Sequence, residues 1–414
     1  MCDIKEIAKI IYKNNGRLYC VGGAIRDKLC GIKPHDEDYC VTGLTEYEFM
    51  KLFKNAVPRG KSFKVYDING KEFALARSER KIGDKHVDFE IVSNKYITIE
   101  QDLKRRDFTV NSMAEDILTG EIIDPYGGKD DLKNKILKAT SDAFKEDQLR
   151  VYRAARFSSK LNFNVEDNTL KVMRSLKEKL TYISAERVFD EFRKALNSSF
   201  PQNFFYVLKK ADLLDVHFKE LYNLIGVLQP EKYHPEGDAF EHSILALKKA
   251  ASITNDEKIR FSVLVHDLGK ALTPKSEYPH HINHDINGVT EVKKFGRRLK
   301  MPNSWIKCGI TAASAHMKAG IFYKMKPAKK VEFIEQMSKT TLGLEGLEIV
   351  VESDRNCRND KFDKVEFAKF GKNLMNNITG EMVMDKYNMK PGIKLKQKLH
   401  EERVNYLKSN YKSF

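Results

Sequence analysis

Residues 18–41, LYCVGGAIRDKLCGIKPHDEDYCV, constrain this chain more than any other stretch. Leu18, Tyr19, Cys20 and Val21 form an apolar run that Gly22 and Gly23 cut short, the pattern of a buried strand closed by a turn. Residues 24–29 then read as a helix start. Its unpaired N–H groups and positive dipole end suit an anion, and Arg26 sits one turn in. Beyond Pro34, Asp36 and Asp38 lie two apart, so on a second strand they share one face with Glu37 opposite. Carboxylates so close repel unless a cation lies between them. A Mg²⁺ site for nucleotidyl transfer is built this way, with oxygen ligands holding an ion that bridges triphosphate and attacking hydroxyl. Either feature alone is an ordinary turn or acidic loop; their coupling points to phosphate chemistry.

A chain of 414 residues, 41% hydrophobic with 24 phenylalanines, has room for two or more domains with cores of their own. The formal charge of +15 suits a polyanionic partner such as nucleic acid, although excess lysine also serves solubility. Six cysteines, at 2, 20, 30, 40, 308 and 357, include no C-x-x-C pair and indicate reduced usage. The start, MCDIKEIAKIIYKN, reads as an amphipathic helix with charges throughout, unlike a signal peptide, and no apolar run reaches membrane-spanning length. The expectation is a cytoplasmic, soluble protein with no membrane partner.

Up to about residue 138 the pattern mixes strands and helices. Thr45-x-x-Glu48 is a capping box for a helix to about Asn55, and strand-like runs follow at residues 62–68, 72–76, 86–92 and 122–124. From Ser141 onward the periodicity is helical, with segments at 143–161, 168–180, 185–196 and 203–214. Boundaries are expected near 139 and within 229–235. The last fifty residues are lysine-rich and helical, with no repeat in the chain.

Two arginine motifs stand out. DLKRRDFTVNSMA at 102–114 follows a Thr98-x-x-Gln101 capping box, and the reading as a helix puts Asp107 and Asn111 on one face at i, i+4. Such a pair suits a ribose hydroxyl and the adjacent arginine a phosphate, while a solvated ion-paired face is the plain alternative. EDQLRVYRAARF, from Glu146, reads as the opening of the first long helix, with Arg150, Arg153 and Arg156 at every third position. Asp147 accepting from an exocyclic amine and Arg150 donating to a ring acceptor would read C and A and refuse U and G, with Glu146 holding Arg150. Surface ion pairs would give the same spacing.

GGAIRD, the Asp36/Asp38 pair, KRRDFTVN, DPYGGKDDL and EDQLRVYRAARF, in this order, resemble the class II tRNA nucleotidyltransferases, the CCA-adding enzymes, with bacterial poly(A) polymerases as close relatives. The resemblance implies an α+β fold, a polymerase-beta-like head followed by all-α neck and body. It implies Asp36 and Asp38 as ligands of catalytic Mg²⁺ and Gly23, Arg26 and Arg106 as contacts to the incoming nucleotide. Asp107 and Asn111 would recognise ribose, and Asp147 and Arg150 would act as a protein template with Glu146 and Arg153 beside them. Glu72 is the candidate third carboxylate, with Asp88 and Glu90 behind it.

Nine of eleven histidines follow residue 216. His242 on one helix, His266-Asp267 after an apolar helical run, then His280, His281, His284, His316 and Asp354 suit metal binding by imidazole and carboxylate. The segment resembles the HD-domain phosphohydrolases, which implies the ligand set His242, His266, Asp267 and Asp354, with HHINH lining a phosphate site or binding a second metal. VESDRNCR departs from the Asp-x-Arg-Gly-Arg expected around the last aspartate. A head of this type with an HD domain resembles the gammaproteobacterial bifunctional enzymes. That implies a transition metal such as nickel, phosphatase and 2′,3′-cyclic phosphodiesterase activity, and tRNA, CTP and ATP as partners of a monomer or homodimer.

The expected domains are a head at 1–139, a neck and body at 140–228, an all-α HD domain at 229–358 and a basic tail at 359–414. A poly(A) polymerase or CC-adding enzyme is the alternative, and a non-catalytic RNA-binding protein would be expected to lack an aspartate.

Overall fold

Leu18 and Cys20 face one side of strand β1 (Arg17–Val21) and Tyr19 and Val21 the other, and each side finds an apolar layer of its own. This alternation is what makes a sheet covered on both faces. The computed structural model describes residues 3–34, 36–60, 64–81, 89–232, 234–355 and 366–410, with backbone alone at 79–81 and 89–92. It divides into two compact units, Met1–Ser184 with Tyr206–Leu213, and Ala185–Phe205 with Leu214–Phe414.

The strands of the first unit begin with β1 (Arg17–Val21), β2 (Asp38–Thr42), β3 (Val57–Arg59), β4 (Val65–Ile68) and β5 (Lys71–Leu75). β6 (Ser78–Lys81), β7 (Phe89–Val92), β8 (Ala114–Asp116) and β9 (Ile122–Ile123) follow, with β10 (Ile136–Leu137) and β11 (Asn164–Val165) last. Seven form one sheet in the order β3-β4-β5-β2-β1-β8-β9, and β6 with β7 and β10 with β11 pair separately. β2 and β5 run parallel; the other neighbours in the large sheet are antiparallel.

Helix Ile4–Lys13, amphipathic as its sequence predicts, buries Ile7, Ala8 and Ile11 in one layer with Tyr39, Val41 and Phe73. Ile99 and Leu103, from helix Ile99–Lys104, join Cys40 and Ala114 in the other. Among the described residues every element after β11 is helical, so the α+β expectation holds.

The strand expected at 62–68 is Val65–Ile68, that at 72–76 is Lys71–Leu75, and that at 86–92 is Phe89–Val92, with 86–88 outside the described residues. β8 has no sequence signature, being three residues of which two are acidic. It forms because β1 offers it an edge, with Val21 opposite Ala114. The long helix expected from 143 is interrupted. A 3₁₀ turn, Asp142–Glu146, gives way at Asp147, whose backbone is extended (φ −117°, ψ 107°), and the α-helix is Arg150–Leu161. Asp147 uses its carboxylate to accept from the Leu149 N–H at 3.0 Å, the capping habit that makes Asp a poor helix interior residue.

In the second unit helix Ala185–Leu196 matches its expected bounds. Arg260, 1% exposed, donates to the carbonyls of Leu196 (2.6 Å), Ser198 (2.7 Å), Thr254 (2.7 Å) and Ala251 (3.1 Å). One buried cation thus satisfies carbonyls at the ends of two helices, Ala185–Leu196 and Ala239–Ile253. The second of these helices carries His242.

Candidate functional sites

The first constellation grows from the Gly-Gly turn. Gly22 has φ 77°, a backbone conformation that favours glycine, and a Cβ there would stand 2.8 Å from Arg106 Nη1, so the guanidinium would have to shift. The register places Val21 opposite Asp38 and Asp38 opposite Glu72, lining up turn and carboxylates across β1, β2 and β5. Asp36, Asp38 and Glu72 are exposed. Asp36 precedes the strand, which starts at Asp38, so the expectation of two aspartates on one strand is corrected. Glu37 turns the other way and accepts from the Tyr39 hydroxyl at 2.6 Å. Asp88 lies outside the described residues, as does the side chain of Glu90.

Three of the sequence motifs meet in one chain of hydrogen bonds. Arg26 Nη1 donates to Asn111 Oδ1 at 2.6 Å, and Asn111 Nδ2 donates to Asp107 Oδ1 at 3.0 Å. Arg153 grips Asp107 Oδ2 with Nε at 2.9 Å and Nη2 at 2.6 Å, two charge-assisted bonds to one oxygen. The Phe108 N–H also donates to Asp107 Oδ1, at 2.9 Å. Burial alone would raise the Asp107 carboxyl, but Arg153 and Asn111 outweigh it and hold it below the usual carboxylate value.

Four accepted bonds fill the lone pairs of Asp107, whereas Asn111 keeps one N–H and one lone pair. That remainder matches one hydroxyl, which both donates and accepts. The two residues are not on one helical face: helix Ile99–Lys104 ends before Asp107, and Asn111 lies in a 3₁₀ turn, Thr109–Asn111. Arg26 is 3% exposed, and its Nε and Nη2 donate to Asp27.

Asp102, which sequence reading passed over, is 1% exposed and accepts from Arg105 at 2.8 Å and Arg106 at 3.3 Å. Its signal was a lone acid one turn ahead of two arginines. Arg106 Nε is buried with no protein partner, so the guanidinium beside the turn has donor capacity to spare. Arg150 donates to the carbonyls of Ala143 at 2.7 Å and Arg105 at 2.6 Å, which fixes its guanidinium near Asp147 at the helix start.

The second site is a knot of buried imidazoles and carboxylates. His242 comes from helix Ala239–Ile253, His266 and Asp267 from the end of Glu257–Val265, and Asp354 from Gly343–Arg355. His242 Nε2 lies 3.1 Å from Asp354 Oδ1 and 3.6 Å from Asp267 Oδ2, and His266 Nε2 lies 3.2 Å and 3.8 Å from Asp267 Oδ2 and Asp354 Oδ1. Tetrahedral bonds of about 2.1 Å to one ion require ligand separations of about 3.4 Å, the mean of this ring. His266 Nδ1 faces the Val263 carbonyl at 2.7 Å, which directs Nε2 into the cluster, where it is buried with no hydrogen-bond partner. His242, His266 and Asp267 thus place ligand atoms to suit a divalent cation, with Asp354 Oδ1 beside both imidazoles. Burial pushes the His266 imidazole down, but Asp267 and Asp354 raise it to about 9.

Glu236 supports this site and was not foreseen. Its Oε1 lies 2.6 Å from His242 Nδ1 and 3.0 Å from His234 Nδ1. Despite burial these bonds hold its carboxyl down to about 2. A carboxylate behind a ligating imidazole fixes its tautomer. Lys270 Nζ lies 2.5 Å from Asp267 Oδ2 and donates to Gln229 at 2.6 Å. Of the HHINH histidines, His281 bonds Thr273 and the Leu228 carbonyl, both at 2.9 Å, and His280 is exposed. His284 lies buried with His316 beside Asp267.

A family model described as the poly A polymerase head domain matches residues 18–138. One described as a probable RNA and SrmB-binding site of polymerase A matches 162–224, and an HD domain model matches 239–340. A multifunctional CCA protein of Shewanella denitrificans is 41% identical over 327 residues, spanning 77% of this chain and 78% of that protein. One of Vibrio vulnificus is 39% identical over 327 residues, spanning 77% and 80%. The fold is similar to that of the Thermotoga maritima CCA-adding enzyme complexed with tRNA, with TM-score 0.66, 19% identity and coverage of 99% and 91%. It is also similar to the Bacillus stearothermophilus CCA-adding enzyme in complex with CTP, with TM-score 0.59, 22% identity and coverage of 97% and 91%. No helix among the described residues is long and apolar enough to cross a membrane.

Proposed function

Since the chain belongs to the family of multifunctional CCA proteins, we propose that it transfers CMP, CMP and AMP in turn from CTP and ATP to the 3′ end of tRNA, without a nucleic-acid template. The observation that carries this reading is the chain Arg26–Asn111–Asp107–Arg153, which ties the Gly-Gly turn to the template helix through the ribose-side residues. Asp38 and Glu72 are register partners on β2 and β5, and Asp36 lies two residues before β2 on the same approach. These carboxylates would hold magnesium, which would supply a lowered pKa for the tRNA 3′ hydroxyl and charge neutralisation in the in-line transition state. The hydroxyl oxygen attacks the α-phosphorus, its proton is released, and the bond to pyrophosphate breaks.

Arg106, with Nε to spare, binds the triphosphate over the backbone of Gly22 and Gly23, and Arg26 acts through Asn111. Asn111 offers its remaining donor and acceptor to a ribose hydroxyl. Asp147 and Arg150 read the amine and ring-acceptor edge that C and A share. The excess positive charge binds tRNA through phosphates.

His242, His266, Asp267 and Asp354 would hold a divalent transition metal, nickel among them, for hydrolysis of phosphomonoesters and 2′,3′-cyclic phosphates. When bound, the metal supplies a water of lowered pKa. Lys270 lies beside Asp267, where a phosphate oxygen would enter.

Replacing Asp36 and Asp38 together by Ala is expected to abolish nucleotide incorporation and leave cyclic-phosphate hydrolysis intact. His266→Ala is expected to do the reverse. Incorporation by the first variant, or unaltered hydrolysis by the second, contradicts the assignment.

A further inference from the structure

DPYGGKDDL, residues 124–132, packs against the 3₁₀ turn Thr109–Asn111. Asp124 holds the start of helix Gly128–Lys133 with both oxygens, Oδ1 accepting from the Gly128 N–H at 2.7 Å and Oδ2 from the Lys129 N–H at 2.8 Å. Gly127, at φ 74°, turns the chain into that helix.

Two contacts tie this helix to the turn. Thr109, 1% exposed, donates from Oγ1 to Asp131 Oδ2 at 2.7 Å. A Cβ on Gly128 would overlap the Thr109 carbonyl oxygen and stand 3.0 Å from Met113 Cγ, so the helix backbone lies directly on the turn. The Thr109 N–H also donates to the Lys138 carbonyl at 3.0 Å.

A turn of three residues has too few hydrogen bonds of its own to hold a shape; the Asn111 N–H reaches the Phe108 carbonyl at 2.8 Å, and the Ser112 N–H reaches that of Thr109 at 2.9 Å. Its place is therefore set from outside. Arg26 and Asp107 fix where the Asn111 amide points, while Asp131 and Gly128 fix where the backbone that carries it stands. One hydroxyl bonded by both the remaining N–H and the remaining lone pair of a single amide tolerates little displacement, because hydrogen bonds weaken steeply with misalignment.

We propose that Asp131, acting through Thr109, is a positioning residue for the choice of ribonucleotides over deoxyribonucleotides. It holds Asn111 where the free donor and acceptor of its amide meet the 2′ hydroxyl of the incoming nucleotide. The proposal rests on the reading of Asn111 as the ribose contact. Loss of the Thr109–Asp131 bond leaves the Gly128 contact and the Lys138 bond in place, so it displaces the turn without unfolding it.

The test is kcat/KM for CTP and for dCTP, measured on the full chain with tRNA lacking its 3′ terminus. Thr109→Val, which keeps the shape and removes the hydroxyl, and Asp131→Ala should each lower the preference for CTP over dCTP by about 10-fold, chiefly through CTP. Thr109→Ser and Asp131→Asn, which keep a donor and an acceptor, should preserve it. Equal losses with the two nucleotides, or an unaltered preference, overturn the proposal, since a bond that only stabilised the fold would act on both alike. Asn111→Ala separates the two readings. If it abolishes the preference while Thr109→Val and Asp131→Ala keep it, the positioning role alone falls. A preference unaffected by Asn111→Ala, or absent from the wild-type chain, sinks the ribose reading and the proposal with it. Thermal melting accompanies each variant: if Thr109→Val or Asp131→Ala loses its transition the other decides, and if both do the bond is structural and the proposal falls.

Discussion

Replacing Arg153 by Ala removes the cation that Asp107 grips with one oxygen, and the effect can be sized. Asp107 is 6% exposed and its other oxygen is already occupied by Asn111 and the Phe108 N–H. Breaking a buried ion pair costs about 3–5 kcal/mol, because the remaining charge stays desolvated. The Arg153 side chain is 34% exposed, so water reaches the gap and about 2–3 kcal/mol is the better figure. In a unit of this size that is a fall of roughly 4–12 °C in melting temperature by calorimetry.

The pH dependence gives a second handle. The folded Asp107 carboxyl sits below its ordinary 3.8, so the pair's stability is full above that value and lost as pH falls through the folded value. Without Arg153, burial pushes the carboxyl upward, and protonation relieves the variant first. The gap between wild type and variant should therefore narrow from pH 7 toward pH 4. Arg153→Lys should recover part of it, since a point charge replaces a fork. An unchanged melting temperature at pH 7, or a gap independent of pH, refutes the reasoning.

Glu236→Gln should weaken metal binding at the His242 cluster by about 10–100-fold in a competition titration, with circular dichroism unchanged; equal affinity would deny Glu236 its positioning role. Gly22→Ala forces a side chain into φ 77° and against Arg106. It should cost about 1–2 kcal/mol in denaturant unfolding and impair nucleotide incorporation; full incorporation would show that the turn tolerates a side chain. Gly269→Ala meets backbone, not a movable side chain. It should destabilise the second unit by about 1–3 kcal/mol and slow phosphate-ester hydrolysis while tRNA extension persists.

The sequence exposed what local rules control and hid what depends on distant partners. The Gly-Gly turn, the capping boxes at Thr45 and Thr98 and helix Ala185–Leu196 were legible because spacing and capping are local. The break at Asp147 was not, since EDQLRVYRAARF carries a helical period straight through a residue whose carboxylate prefers to cap. β8 was invisible because its stability comes from β1.

In the head, residue types announced phosphate chemistry, but the sequence did not reveal that Asp107 spends its lone pairs on Arg153, Asn111 and Phe108. In the second unit the His-Asp doublet was plain. Glu236 and the pairing of His284 with His316 emerged only when helices far apart in sequence were brought together.

The most direct measurement is the length and sequence of the product made from tRNA lacking its 3′ terminus, incubated with CTP and ATP and no other nucleic acid. The account predicts three added residues, C, C and A, and then arrest. A long adenylate tail, or arrest after two cytidines, would contradict it.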